Sequence, residues 1–257
     1  MTTRPTNYGK AWTRQESILA FDLYCRIPFQ QTKASNPEVQ ALARLLNRSP
    51  ASVARKLGNF GAFDPELRKR RISGLTHTSK LDRQVWNEFH SDWARLVADA
   101  AQMRESLSDG EAQAPIPVKS PEGVSERLVT AKRRLHQAFF RDAVLSAYES
   151  ICCVTAVSLR QCLIASHIVP WSVNEKLRAD PTNGLCLTAT FDRLFDAGLM
   201  SVEQDLTLRF SEEILLTDCE PVRELIAVYQ GQPIRRPQRF LPKAASLEWH
   251  RENVFVG

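Results

Sequence analysis

Apolar residues recur at intervals of three and four in the first third of the chain, which predicts a set of short helices. The capping box Thr13-Arg-Gln-Glu16 begins the first helix. The pairs Asn36-Pro37 and Ser49-Pro50 each combine a capping side chain with a proline suited to the first turn, so they predict the starts of a second and a third helix. We expect Gly58 and Asn59 to end the third helix.

A longer amphipathic pattern follows from Leu81 to Arg104 and predicts one long helix against the first three. Residues 107–123 contain three prolines and little apolar content, which is typical of a linker. We therefore predict a helical domain over residues 1–106, a linker over 107–123 and a second domain over 124–257.

The second domain changes from helical spacing to short β-prone segments after a basic helix, Leu128 to Tyr148. The predicted strands are Val154–Val157, Cys162–Ile168 and Leu185–Leu187. A short helix, Thr190–Phe195 before Gly198, and a hairpin, Met200–Phe210, are predicted to follow. The predicted fold class is α+β.

Composition narrows the class of protein. The 257 residues are 43% hydrophobic and 25% charged, as in ordinary globular proteins. No apolar run is long enough to cross a bilayer and the first residues are polar, so we expect a cytoplasmic protein without a membrane partner. The six cysteines form no C-x-x-C pair, and we expect reduced thiols, with Cys152, Cys153, Cys162 and Cys186 in the core, and no structural zinc.

The net charge of +5 is concentrated in residues 41–80, which hold nine Lys and Arg but only two acidic residues. This block predicts contact with nucleic acid, although a solvated helix face is the ordinary alternative. The expected DNA-binding residues lie on the third helix and just after it: Ser52, Arg55, Lys56, Asn59, Arg68, Arg70 and Arg71. A second basic group beside the predicted nuclease domain consists of Lys132, Arg133, Arg134 and Arg141. Arg133 and Arg134 are the DNA contacts expected from this group, and contact with the DNA backbone and a solvated helix face are weighed equally for it.

The phrase Asn47-Arg-Ser-Pro-Ala-Ser-Val-Ala-Arg-Lys-Leu57, together with Trp12 and the capped first helix, loosely resembles a Myb-like or helix-turn-helix module. The resemblance covers about the first 60 residues and implies a recognition helix in a DNA groove.

Three segments of the second domain combine chemistry-bearing side chains: Ala165-Ser-His167-Ile-Val-Pro-Trp171, Asn183-Gly-Leu-Cys-Leu187 and Phe191-Asp192-Arg-Leu-Phe-Asp196-Ala-Gly198. A histidine that ends one strand, an asparagine that begins the next and an acidic residue on a short helix can converge in a ββα finger. Alone, His167 would be interpreted as a core histidine and Asn183-Gly184 as a turn.

In this order the segments resemble the HNH endonuclease family, and the similarity extends over nearly all of the second domain. The resemblance implies a ββα-metal nuclease domain with helical flanks, in which His167 is the general base. It further implies that Asn183, also counted as catalytic, and Asp192 hold Mg²⁺ or Mn²⁺. Ser166 stands where many members have a stronger ligand, and we expect at most weak coordination there. We expect Asp196 and His250 to be structural.

These observations predict a metal-dependent endonuclease of double-stranded DNA, of restriction or phage-defence type, which acts as a homodimer. The alternative is an HNH-fold DNA-binding regulator or assembly module that has lost catalysis. An RNA nuclease is a third interpretation, which the helical first domain disfavours.

Overall fold

The computed structural model describes residues 5–72, 78–108 and 124–257, with the backbone alone for 124–129. The chain forms two compact units, Met1–Asp142 and Ala143–Gly257. Helices and two small antiparallel sheets make up the described part, so the α+β prediction is confirmed. Most of the predicted linker 107–123 lies outside the described residues, and the domain boundaries drawn from the sequence stay a prediction.

The described part of the first unit is helical. Its helices are α1 (Arg14–Arg26), α2 (Pro37–Leu45), α3 (Pro50–Gly61), α4 (Pro65–Lys69), α5 (Lys80–Phe89), α6 (Trp93–Ser108) and α7 (Val124–Ala147), the last of which continues into the second unit. All three predicted helix starts are confirmed, because Thr13, Asn36 and Ser49 each accept a hydrogen bond from a backbone N–H of the first turn.

Two predictions about helix ends are wrong. Helix α3 continues past Gly58 to Gly61, because Phe60 is fully buried and holds the last turn on the core. The predicted long helix is instead α5 and α6, separated at residues 90–92. Asp92 caps the start of α6, since its carboxylate accepts a hydrogen bond from the backbone N–H of Arg95.

The core of the first unit surrounds α1, which contacts α2, α3, α5 and α6. Phe21 lies at its centre, and its ring centroid is 4.9 Å from that of Phe60 and 5.4 Å from that of Trp86. Aromatic rings at these separations add to the free energy gained by burying them. The hydrophobic effect therefore fixes α3 and α5 against α1.

The second unit contains two antiparallel strand pairs and four short helices. The elements are β1 (Leu163–His167), β2 (Gly184–Thr188), α8 (Ala189–Asp196), β3 (Met200–Val202), β4 (Leu208–Phe210), α9 (Glu212–Leu215), α10 (Glu220–Ala227) and α11 (Ala244–Asn253). β1 pairs with β2 so that His167 lies opposite Gly184, and α8 follows β2 directly and contacts both strands. The predicted hairpin is confirmed as β3–β4, and the predicted short helix is confirmed as α8. Gly198, which follows this helix, has a φ of +73°.

Two further predictions for this unit are wrong. Residues 154–157 form a turn rather than a strand, since the Cys152 N–H donates to the carbonyl of Val157 and the Ala156 N–H donates back to Cys152. Cys162 is exposed, whereas Cys152, Cys153 and Cys186 are buried as expected. Among the helices of the described ranges, none has the length and apolar character needed to cross a membrane.

Candidate active site and nucleic-acid surface

His167 ends β1, and its ring is held by the loop that leaves the strand. Its Nε2 lies 3.1 Å from the backbone carbonyl oxygen of Arg178. A carbonyl oxygen can only accept, so Nε2 carries the hydrogen and Nδ1 is the unprotonated nitrogen of the neutral ring. The backbone of Arg178 thereby determines which nitrogen can accept a proton.

The loop around His167 is stiffened by Trp171 and Arg178. The Trp171 ring stands edge-on to His167 at 5.7 Å, and the Arg178 guanidinium lies 5.2 Å from the Trp171 ring centre. Nε of Arg178 also donates to the Trp171 carbonyl at 3.0 Å. Burial in this loop lowers the pKa of His167, and the hydrogen bond to the Arg178 carbonyl partly raises it again. The ring is therefore neutral at pH 7.

Asn183 is fully buried and clamps the chain just after His167. Its Oδ1 accepts from the Val169 N–H at 2.9 Å, and its Nδ2 donates to the Val169 carbonyl at 3.0 Å. Its backbone carbonyl accepts from the Ile168 N–H. Both ends of the side chain are thus used to fix the end of β1, an arrangement that gives no support to the metal-ligand role expected for Asn183.

A charged pair supports the segment that carries Asn183. The Asp180 carboxylate accepts from the backbone N–H of Thr182 at 2.9 Å and from Nζ of Lys243 at 2.7 Å. Asp180 is buried, so this ion pair is shielded from solvent on one side. Neither Asp180 nor the Arg178 carbonyl is among the site residues predicted from the sequence. The sequence does contain a signal for Asp180, because Asp180-Pro181 is the pattern of a helix start. It contains none for the Arg178 carbonyl, because every residue has a backbone carbonyl.

Asp192 lies in the first turn of α8 and neighbours Ser166 of β1. Burial raises the pKa of Asp192, and the nearby Ser166 hydroxyl lowers it. Ser166 is buried, and its hydroxyl makes no hydrogen bond of ordinary geometry with another described residue. The hydroxyl and the half-buried carboxylate are adjacent oxygen atoms, and a hard cation accepts both kinds of donor.

Asp196 follows Asp192 by one helical turn and is exposed. Partial desolvation of the carboxyl group and the charge of Asp192 raise its pKa, while Arg193 lowers it. Within the described ranges, no three His, Cys, Asp or Glu side chains group closely enough to hold a metal ion. A cation at Asp192 would therefore need Ser166, water or substrate oxygens to complete its coordination.

On α3, the structure separates the predicted DNA contacts into two pairs. Arg55 is exposed and Ser52 half-buried, and both line the same open cavities. Lys56 and Asn59 instead bind the buried Asp82 of α5 through Nζ and Nδ2. The exposed position expected for Lys56 is wrong: only 4% of its side chain is accessible, because the carboxylate of Asp82 draws it inward.

The other predicted basic contacts lie at the surface. Arg68, Arg70 and Arg71 are exposed at or after α4, although Nε of Arg68 donates to the Ala62 carbonyl at 2.7 Å. Arg133 and Arg134 are exposed on the part of α7 that belongs to the first unit. Both groups are accessible to a polyanion, and their role in DNA binding stays a prediction.

Residues 152–203 match the family model described as HNH endonuclease. The matched segment includes β1, β2, α8 and β3, and therefore His167, Asn183 and Asp192. The resemblance inferred from the motifs is confirmed for this segment, and the match indicates a nuclease, that is, a hydrolase. No curated protein matches the chain.

Proposed function

We propose that this protein is a metal-dependent endonuclease that hydrolyses phosphodiester bonds of double-stranded DNA, with His167 as the general base. The observation that carries the proposal is the placement of His167 within the HNH-matched segment, at the end of a strand that Asn183 clamps and with its tautomer set by the Arg178 carbonyl.

In this proposal each protein group has one task. Nδ1 of His167 accepts the proton of the attacking water, while the bond from Nε2 to the Arg178 carbonyl stabilises the charged ring that results. Asn183 is a positioning residue, since it holds the backbone on which His167 depends. Trp171 limits the movement of the ring.

A divalent cation fits the acidic side of the site. Asp192 and Ser166 are the residues that would hold it, because the carboxylate and the hydroxyl are adjacent oxygen donors. Such an ion, Mg²⁺ or Mn²⁺, supplies stabilisation of the charge that develops on the phosphate and on the leaving oxygen. We do not assign Asn183 to this ion.

We also propose that β1, β2 and α8 form the ββα finger of the nuclease. The first unit, in this proposal, selects the DNA. The turn between α2 and α3, with Asn47 at φ 49°, supports a helix-turn-helix arrangement. We further propose a cytoplasmic restriction or phage-defence role and a homodimer, because cutting two strands requires two active sites.

Cleavage of plasmid DNA by purified His167→Ala tests the proposal. We expect Mg²⁺ or Mn²⁺ to support nicking by the wild type, EDTA to stop it, and the variant to lose about 100-fold to 10,000-fold in rate, the range for a general base. DNA affinity should not change. Ser172→Ala is the matched control, because Ser172 is an exposed residue of the same loop. Cleavage by His167→Ala at the control rate contradicts the mechanism.

An inactive DNA-binding module is the second candidate, and the lack of a third close metal-ligating side chain among the described residues favours it. The same experiment separates the two functions. EDTA-insensitive binding without cleavage in any metal supports the module. Parallel digestion of duplex DNA, single strands and RNA identifies the nucleic acid that is cut.

A further inference from the structure

A cavity of about 400 Å³ opens in the first unit between the start of α3 and the segment that precedes α1. Its lining combines aromatic, cationic and hydroxyl groups: Tyr8, Lys10, Trp12, Ser49, Ser52 and Arg55. A second cavity of about 430 Å³ shares Trp12, Ser52 and Arg55 with it. We call the first of these the Trp12 cleft.

The wall of the Trp12 cleft is fixed by the buried Arg48. Its guanidinium donates to the Lys10 and Ala11 carbonyls at 3.0 and 2.8 Å, and to the Glu16 carboxylate at 2.8 and 2.9 Å. The Asn7 side chain adds a bond to the Leu46 carbonyl at 3.0 Å. Because a paired, buried charge holds the segment, the cleft exists before any ligand binds.

The cleft attracts anions at its rim. Lys10 and Arg55 are exposed, and the Arg55 side chain makes no ion pair with any residue that the structure describes. The Arg48 guanidinium and Nζ of Lys56 lie 4.5 and 4.7 Å from the Trp12 ring centre and hold this ring in the wall, while Glu16 and Asp82 neutralise their charges, so the anion attraction comes from Lys10 and Arg55. Exposed cations beside a concave wall suit a phosphate.

The aromatic groups indicate that the ligand is more than a phosphate. The Tyr8 side chain is 58% exposed at the cleft, although burial of such a ring would be favourable. The volume lies within the roughly 300 to 1,000 Å³ of ligand pockets, and aromatic rings beside cations are the combination that binds nucleobases with their phosphates. A nucleotide combines both chemistries.

We propose that the Trp12 cleft holds one nucleotide of the bound DNA, with its phosphate between Lys10 and Arg55 and its base against Tyr8. The inference rests on the proposed function, in which DNA is the substrate, and assigns Tyr8 and Lys10, which precede the recognition helix, to the DNA surface. A base enters such a cleft only after it leaves the base stack, and a mismatched base leaves most easily. The cleft therefore favours duplexes that contain a mismatch.

The test measures binding of a labelled duplex, fully paired or with one mismatched pair, to the full chain in EDTA. Lys10→Ala and Arg55→Ala should each weaken binding to both duplexes about tenfold and lower the salt dependence by about one counterion. In Tyr8→Ala, the ratio of the affinity for the mismatched duplex to that for the paired duplex should fall by about fivefold or more. Lys33→Ala, an exposed lysine before α2 that lies outside both the cleft and the basic block 41–80, is the control for lost charge.

Affinities of Lys10→Ala and Arg55→Ala equal to that of Lys33→Ala overturn the inference. A free deoxynucleoside monophosphate serves as competitor: weak displacement of the duplex supports a nucleotide site within DNA, whereas tight binding of the free nucleotide with unchanged duplex affinity in the variants overturns it. Absence of cleavage by the wild type in every metal contradicts the proposed function alone, and unchanged affinities in the variants contradict the Trp12 cleft alone. The two failures are therefore distinguishable.

Discussion

His250 shows how a single side chain can join distant elements without a part in the chemistry. Its Nε2 donates to the Phe195 carbonyl at 3.1 Å, and its Nδ1 accepts from the Ser201 hydroxyl at 2.9 Å. The imidazole also stacks on the Phe195 ring at 3.7 Å. These contacts connect α11 to α8 and β3 through a neutral ring, as expected for a structural residue.

The buried environment of His250 predicts acid sensitivity. Burial lowers its pKa to about 4, the Phe195 carbonyl opposes this shift and Arg251 adds to it. The unfolded chain, with an ordinary pKa of about 6.5, binds the proton first as the pH falls, so stability is lost below about pH 6.5. We expect a loss of about 2 kcal/mol between pH 7 and pH 5 from this residue.

Urea unfolding at both pH values measures this loss. The His250→Gln variant, which cannot titrate, should be less stable than the wild type at pH 7 and should lose less stability on acidification. An equal loss in the two proteins would show that other groups cause the acid sensitivity.

Asn183 leads to a prediction about both stability and catalysis. Asn183→Ala leaves the N–H and the carbonyl of Val169 buried without partners, which should cost about 2 to 4 kcal/mol of unfolding free energy. Because His167 depends on the same backbone, the cleavage rate should also fall at a temperature where the variant is folded. Asn174→Ala is the matched control, since Asn174 caps an exposed turn, and it should cost less than 1 kcal/mol, roughly. Equal effects of the two changes would argue against the clamp.

At the scale of secondary-structure elements, the features that could be predicted from the sequence are those that residues close together in the chain determine. A cap requires only a side chain and the next three residues, so the starts of α1, α2 and α3 were found. The strands β1 and β2 were also found, because their apolar runs are bounded by polar loops. The order of these elements in the HNH motif is the basis on which a site at His167 and Asp192 is predicted, and the family match includes both residues.

The missed features depend on contacts between distant residues. Lys56 is drawn inward by Asp82, 26 residues later, and no local pattern distinguishes such a lysine from an exposed one. The end of α3 depends on the burial of Phe60 against α1. The resemblance to the HNH family could assign Asn183 to the site. Its bonds to Val169 become visible only when β1 and β2 are paired.

At the scale of the whole molecule, the two compact units carry different chemistry. The first contains Arg55, the basic residues after α4 and the Trp12 cleft, whereas the second contains His167 and Asp192. Residues that bind DNA equally before and during the reaction change affinity, while residues that act only in the transition state change the rate. The proposed function therefore predicts that the two effects are separable.

The double variant Arg55→Ala/His167→Ala tests this separation. At saturating protein under single-turnover conditions, Arg55→Ala should cleave at the wild-type rate and require about tenfold more protein to saturate. His167→Ala should bind as tightly as the wild type, and the double variant should bind as Arg55→Ala does, because the two changes lie in different units and add independently. A reduced rate of Arg55→Ala at saturation would show that the first unit also controls the chemical step, since weaker binding alone cannot slow a saturated enzyme.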